Sequence, residues 1–240
     1  MQEICAVIAA GGLGTRLKDY KDNKSTKVLI HLDKMSMISS QIEQIYKWGI
    51  TDFIVITNPE FDALIRKDIR QNHNSKNINF VIQHTPSGIA HALLQVENVI
   101  KKDSKILFVL GDNFFGDNPI KNIDLTKKLN STIFVKNVEN PKEFGVAEIE
   151  NEELINIIEK PNTPKSNLAV LGIYLYDFNC FEFIKNLKPS KRGELEISDL
   201  NNLLISKKLL DYKKFNSWWI DAGTEERIEQ LKRLLDNFHA

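Results

Sequence analysis

Short apolar runs alternate with amphipathic stretches through the first half of the chain. Residues 3–10 are almost wholly apolar and end at Gly11 and Gly12. A run of that length, closed by glycine, predicts a strand buried on both faces, as in a parallel sheet. Further strands are predicted over 52–57, 78–83 and 105–110. Between them, apolar residues recur at helical spacing near 37–48, 61–71 and 88–100. That alternation is the signature of crossover units around a parallel sheet. The second half reads differently. Residues 131–136, 145–149, 154–158 and 169–176 are strand-like with few helices between them, and helices are predicted near 181–187, 197–206 and 225–238. We therefore expect an α/β half over 1–130 and a more mixed half over 131–240, sharing one sheet within a single domain.

Composition bounds what such a domain can do. Hydrophobic residues make up 42% of the 240, enough to bury a substantial core. Lys plus Arg and Asp plus Glu both number 32, so the formal net charge is zero. That balance removes the electrostatic case for a nucleic-acid or membrane-surface binder, while leaving room for a small anionic ligand held by a few local cations. Cys5 and Cys180 belong to no CxxC or Cys/His cluster, so neither a zinc site nor a disulfide framework is expected. No apolar run is long enough to span a bilayer and the first residues carry no basic leader, so the cytoplasm is the expected location.

Candidate chemistry clusters at predicted strand ends. After the first strand come Gly11, Gly12, Leu13, Gly14, Thr15 and Arg16. Glycines there let backbone N–H groups approach an anion, and Arg16 adds a planar cation suited to phosphate. The string is neither a G-x-G-x-x-G dinucleotide fingerprint, since Leu17 stands where the third glycine is needed, nor a P-loop. A nicotinamide oxidoreductase is thereby excluded. Lys27 stands at the root of the polar loop that follows, beside the apolar 28–30, and could point back at a phosphate. Gln83 offers two donors and an acceptor to a base edge, and Gly88 would leave room for the ring, although a helix-entry turn explains the same string. Asp112 and Asp221 each follow an apolar run, where ligands bind in open α/β sheets, and a carboxylate there suits Mg²⁺. Glu159 and Lys160 precede Pro161 and could hold a sugar hydroxyl and a phosphate. Residues 192–199 read as a helix entry with a positional role. No nucleophile-elbow string occurs.

Taken in order, these strings resemble the sugar-1-phosphate nucleotidyltransferases, most closely the short-form glucose-1-phosphate thymidylyltransferases. The resemblance runs from residues 10–17 through Lys27, 83–88, 110–113, 144–146, 159–161, 164–170, 172–174 and 189–199 to 219–224. It departs at Lys18, Asp19, His31 and Ser36, in territory where members usually carry prolines, and at Val28, where a polar residue commonly stands. The resemblance implies a Rossmann-like, doubly wound, mixed but mainly parallel sheet of the nucleotide-diphospho-sugar transferase type. It implies attack of a sugar 1-phosphate on the α-phosphorus of a nucleoside triphosphate, with dTTP and glucose 1-phosphate the expected pair and Mg²⁺ the cofactor. Gly11, Gly14, Thr15 and Arg16 would hold the triphosphate, with Lys27 serving the same charge. Gln83 and Gly88 would read the base, and Asp112 and Asp221 would bind Mg²⁺. Gly145, Glu159 and Val170 would contact the hexose, and Lys160 its phosphate. A homo-oligomer is expected. Alternatives left open are the same chemistry with UTP or CTP and another phosphorylated acceptor, and a non-catalytic nucleotide-binding regulatory subunit.

Overall fold

The computed structural model describes residues 3–12, 26–125 and 131–239. The described chain divides into two compact units, each assembled from separate stretches of sequence.

One unit comprises 5–12, 26–86, 109–118 and 217–239. Strands β1 (Ile4–Ala9), β2 (Asp52–Thr57) and β3 (Asn77–Ile82) pair in parallel in that order, with Cys5 opposite Asp52 and Asp52 opposite Asn77. Val7, Ile8, Val55 and Ile56 are fully buried, as the continuous apolar runs require of a sheet covered on both faces. Helix α1 (Met37–Lys47) buries Ile38, Ile42 and Ile45, an i, i+4, i+7 stripe. Its N-cap is Ser36, whose hydroxyl accepts from Ser39 N at 3.2 Å. Helix α2 (Asp62–Asn72) buries Ile65 and Ile69 and links β2 to β3.

The same unit holds a short antiparallel ladder of β5 (Asn113–Phe115) and β11 (Trp219–Asp221). Helix α6 (Glu225–His239) follows β11, its first turn acidic and fastened by Thr224, which accepts from Arg227 N through Oγ1 and from Ile228 N through its carbonyl. Leu32, Met37, Phe114, Ile220, Ala222, Ile228 and Leu231 form one cluster beneath the ladder. Full burial of Ile228 and Leu231 contributes about 2 kcal/mol each, which holds the ladder in place.

The other unit comprises 3–4, 87–108, 119–125 and 131–216. Here the strands run β10 (Leu210–Lys214), β6 (Ser131–Asn137), β9 (Leu168–Tyr176) and β4 (Lys105–Leu110), the last two residues of β4 falling in the first unit. β10 is parallel to β6, whereas β9 is antiparallel to it. β7 (Gly145–Glu150) pairs antiparallel with both β8 (Glu153–Glu159) and β9. Helices α3 (Ile89–Leu94), α4 (Cys180–Lys185) and α5 (Ile197–Ser206) complete it.

The α/β class is as expected, with parallel pairing in the β1–β3 region and mixed pairing after residue 131. Three differences have physical causes. The helix expected to reach residue 100 ends at Leu94, where bonds spanning three residues (Gln95 N to Ala92 O, Val96 N to Leu93 O) tighten the turn and stop propagation. β10 lacks an apolar signal because it is an edge strand bearing Asp211, Lys213 and Lys214, which guard against further pairing. β5 and β11 are three residues each, too short for any periodicity to register. Among the described residues, no helix is long and apolar enough to cross a membrane.

Candidate active site

The strand ends of the first unit carry the predicted phosphate and metal residues. Ala10 N donates to Ile56 O at 2.8 Å, so the chain leaves β1 still paired to β2. A side chain at Gly11 would lie 3.2 Å from Thr57 O, and Asn58 Nδ2 donates to Gly11 O at 2.9 Å. Thr57 O in turn accepts from Gln83 N at 2.9 Å. Gly11 and Gln83 are thus gathered around the carboxyl end of β2, the region where open parallel sheets bind ligands. Gln83 is buried. Gly14, Thr15 and Arg16 lie outside the described residues. The described flanks of that segment meet where Thr26 Oγ1 donates to Gly12 O at 3.3 Å.

Lys27 opens a single 3-10 turn, Lys27–Leu29. Its neighbour Val28 is buried, and Val28 Cγ1 would lie 3.2 Å from a side chain at Gly111. Anchoring of Val28 beside Gly111 sets Lys27 next to Asp112, and Lys27 Nζ donates to Asp112 Oδ2 in a partly buried ion pair. Burial alone pushes the Asp112 carboxyl upward, but the Lys27 charge and the hydrogen bonds from Lys27 and Asn113 outweigh it and hold the group below the usual carboxylate range. The pair's stability is therefore fully present above the unfolded carboxylate value of about 3.9 and is lost as pH falls through the lower folded value.

The β5–β11 ladder solves the problem of bringing Asp112 and Asp221 together. Asp221 pairs with Asn113, and Ala222 N donates to Asp112 O at 2.8 Å. The two carboxylate residues occupy neighbouring rungs despite their distance in sequence. A side chain at Gly223 would lie 3.0 Å from Asp221 Oδ1, so glycine is what leaves that carboxylate its place. The turn bearing Asp112 is stapled from α1 by Gln41, whose Nε2 donates to Leu110 O and Asn113 O, both at 2.8 Å. Nothing in the sequence reading singled out Gln41. Its signal is a fully buried amide on an otherwise apolar helix face.

These donors suit Mg²⁺. That ion takes one or two carboxylates and fills its remaining positions with phosphate oxygens and water. Among the described residues, no three His, Cys, Asp or Glu side chains gather to hold a metal. Among the described residues, Asp112 and Asp221 would supply the one or two carboxylates that Mg²⁺ accepts.

The second unit carries the residues expected to meet the sugar. Gly145 pairs with Glu159 across β7 and β8. A side chain at Gly145 would lie 3.3 Å from Glu159 Oε2 and 3.9 Å from Val170 Cβ, so Gly145 on β7 sits between Glu159 on β8 and Val170 on β9. Burial raises the Glu159 carboxyl, Lys160 pulls it back, and the charge of Glu196 pushes it further up. The folded state therefore disfavours the ionised form, and this cost grows as pH rises through the unfolded and then the folded value. Glu159→Gln is expected to raise the urea midpoint at pH 7 and to leave it unchanged near pH 3. A midpoint that falls at pH 7 would show that the carboxylate stabilises the fold instead.

Lys160 has φ of 42°, a left-handed conformation that costs a non-glycine residue about 1 kcal/mol or more. Its N–H donates to Phe144 O at 3.0 Å, which holds the strained residue at the start of the β7–β8 sheet end, and its Nζ is 3.7 Å from Glu159 Oε1. Backbone strain at a charged residue before proline is the kind of feature that persists at functional sites.

Gly88 has a structural requirement of its own. Its φ is 103°, and a side chain there would lie 2.4 Å from Leu195 O. Leu195 N donates to Ser87 O and Leu195 O accepts from Ala90 N, so the 192–199 segment props the turn that opens α3, consistent with the positional role read for it. Arg192 completes this prop through bonds from Nε and Nη2 to Glu196. Gly88→Ala is expected to lower stability by about 2 kcal/mol or more through strain and clash together, measured by urea denaturation; an unchanged midpoint would contradict the close approach.

The sequence profile of the Nucleotidyl transferase family matches residues 5–237. A glucose-1-phosphate thymidylyltransferase of Neisseria meningitidis serogroup A is 37% identical over 231 residues, covering 93% of this chain and 80% of that protein. A solved structure from Bacillus anthracis, provisionally assigned as a glucose-1-phosphate thymidylyltransferase and complexed with sucrose, superposes with a TM-score of 0.87. It is 35% identical, with 96% of this chain and 95% of that one covered. A UDP-glucose pyrophosphorylase complexed with UDP-glucose shares the fold at a TM-score of 0.83 and 22% identity, covering 98% of this chain and 99% of that one. The chain belongs to the nucleotidyl transferase family.

Proposed function

We propose that the protein transfers a nucleotidyl group from dTTP to glucose 1-phosphate, with Mg²⁺, forming a nucleotide sugar and releasing pyrophosphate. The observation that carries this reading is the β5–β11 ladder, which brings Asp112 and Asp221 to neighbouring rungs beside Lys27. Further support comes from the glucose-1-phosphate thymidylyltransferase relatives and from the Gly145, Glu159 and Val170 group.

In this reading a phosphate oxygen of the sugar 1-phosphate attacks the α-phosphorus in line. The bond from the α-phosphorus to the bridging oxygen breaks, and pyrophosphate carries away the electron pair. Chemistry of this kind asks the protein for positioning and charge stabilisation rather than a nucleophile. Gly11, Gly14, Thr15 and Arg16 hold the triphosphate, and Arg16 and Lys27 stabilise the departing pyrophosphate. Gln83 and Gly88 read the base. Gly145, Glu159 and Val170 receive the hexose, while Lys160 grips its phosphate. Asp112 and Asp221 would hold Mg²⁺, which when bound neutralises phosphate oxygens as they approach one another.

Specificity among triphosphates rests on few contacts, so the discriminating experiment is a panel. Pyrophosphate release is measured with dTTP, UTP and CTP against several sugar 1-phosphates in Mg²⁺. The dTTP and glucose 1-phosphate pair is expected to give the highest kcat/KM. A faster UTP or CTP pair would keep the chemistry and replace the substrates. Triphosphate binding with no release for any pair would mark a non-catalytic subunit.

A further inference from the structure

Each carboxylate oxygen of Asp112 meets a different partner. Lys27 Nζ takes Oδ2, and Asn113 Nδ2 donates to Oδ1 at 2.8 Å. Asn113 is 2% exposed, and its own Oδ1 accepts from Trp219 Nε1 at 2.7 Å. An indole N–H can only donate, and an ionised carboxylate can only accept. Trp219 therefore demands the oxygen of the Asn113 amide and Asp112 demands its nitrogen. The three groups form a relay of one polarity, from indole to amide to carboxylate. Turning the amide by half a rotation would set oxygen against oxygen at Asp112 and N–H against N–H at Trp219.

The relay also joins β11, which carries Asp221, to β5, whose first residue follows Asp112. Trp219 lies two residues before Asp221 on β11, and Asn113 is the residue paired with Asp221. Gln41 Nε2 fixes the backbone on both sides of Asp112, which leaves rotation of the carboxylate as the remaining freedom, and the amide removes it. Groups that orient a metal-ligating side chain in this way are worth about 10–100-fold in metal affinity.

We propose that Asn113 is a positioning residue that commits Asp112 Oδ1 to its amide and so orients Oδ2, the oxygen that Lys27 Nζ meets in this structure, for a divalent cation that would take the ammonium's place there, and that Trp219 acts on Asp112 through Asn113. The inference rests on the metal role assigned to Asp112 above. Neither residue is asked to touch substrate.

Two measurements on the full chain test it. Free Mn²⁺ is followed by electron paramagnetic resonance as the ion is titrated into wild type, Asn113→Ala, Trp219→Phe, the double variant and Asp112→Asn. Mn²⁺ affinity is expected to fall at least about 10-fold in Asn113→Ala and less in Trp219→Phe. The double variant should bind no more weakly than Asn113→Ala, because in this inference Trp219 acts on Asp112 through Asn113. A general loss of packing would instead make the two losses multiply. In parallel, the indole N–H resonance of Trp219 is followed by ¹H–¹⁵N NMR without metal. It is expected to move upfield in both Asn113→Ala and Asp112→Asn, the second change arriving through the relay. Wild-type Mn²⁺ affinity in Asn113→Ala, multiplying losses, or a Trp219 resonance unmoved by Asp112→Asn would each overturn this inference alone. Unaltered Mn²⁺ affinity in Asp112→Asn would overturn the metal reading beneath it, and the inference with it. Trp219→Phe keeps an aromatic ring while removing the indole N–H, so it reports even if Asn113→Ala fails to fold.

Discussion

Asp112→Asn is expected to cut turnover by about 100-fold or more at saturating substrates, a loss on the scale of removing one preorganised charge-stabilising group from an active site. The substitution keeps side-chain volume and leaves an oxygen to accept from Asn113. It removes the negative charge that pairs with Lys27 and that a divalent cation requires. The backbone around position 112 does not depend on that charge, because Gln41 and the β11 ladder hold it through carbonyls and amides. The far-ultraviolet circular dichroism spectrum should therefore match wild type, with a lowered urea midpoint from the lost ion pair. Asp221→Asn should repeat the loss of turnover. Steady-state pyrophosphate release checks both. A rate within threefold of wild type in either variant would remove that residue from the metal site.

Lys160→Ala should raise KM for the sugar 1-phosphate by about 10–100-fold while leaving KM for the triphosphate unchanged. A charge-assisted contact is worth about 1.5–3 kcal/mol, and each 1.4 kcal/mol is a factor of ten. Position 160 allows an internal control. Alanine keeps the strain of φ 42°, whereas Lys160→Gly relieves it. The two variants should share the KM defect, and Lys160→Gly should be the more stable in urea. Equal stability would show that the backbone is unstrained. An unchanged sugar 1-phosphate KM in both would reject the phosphate contact.

Much of the fold was legible because its signals are local. β2 and β4 have the bounds read from their apolar runs, and α5 the bounds read from its periodicity. Buried parallel strands announce themselves by composition. The ladder that gathers Asp112 and Asp221 was not legible as a ladder. β5 and β11 are three residues long, and their pairing is decided by the shared cluster under Phe114, Ile220 and α6. Both aspartates could be flagged from their place after apolar runs, but only tertiary packing sets them on neighbouring rungs. Gly145, Glu159 and Val170 came from family resemblance, and register brings them together: antiparallel pairing sets Gly145 opposite Glu159, while Val170 comes from the next strand. Gly88 was read as room for a base, yet its positive φ and the Leu195 carbonyl account for glycine there without a ligand. Asn113 and Trp219 fall within the resembling strings 110–113 and 219–224, which assign them no task. Their contribution depends on which atom of an amide faces which neighbour, and residue spacing carries no such information.

The most direct measurement is ³¹P NMR of the protein with dTTP, glucose 1-phosphate and Mg²⁺. Free pyrophosphate and the paired resonances of a sugar diphosphate diester should rise in equal molar amounts, and neither should form when the sugar phosphate is omitted. Pyrophosphate or orthophosphate produced without the sugar phosphate, or an unchanged spectrum with every triphosphate and sugar phosphate tried, would contradict nucleotidyl transfer as the activity of this fold.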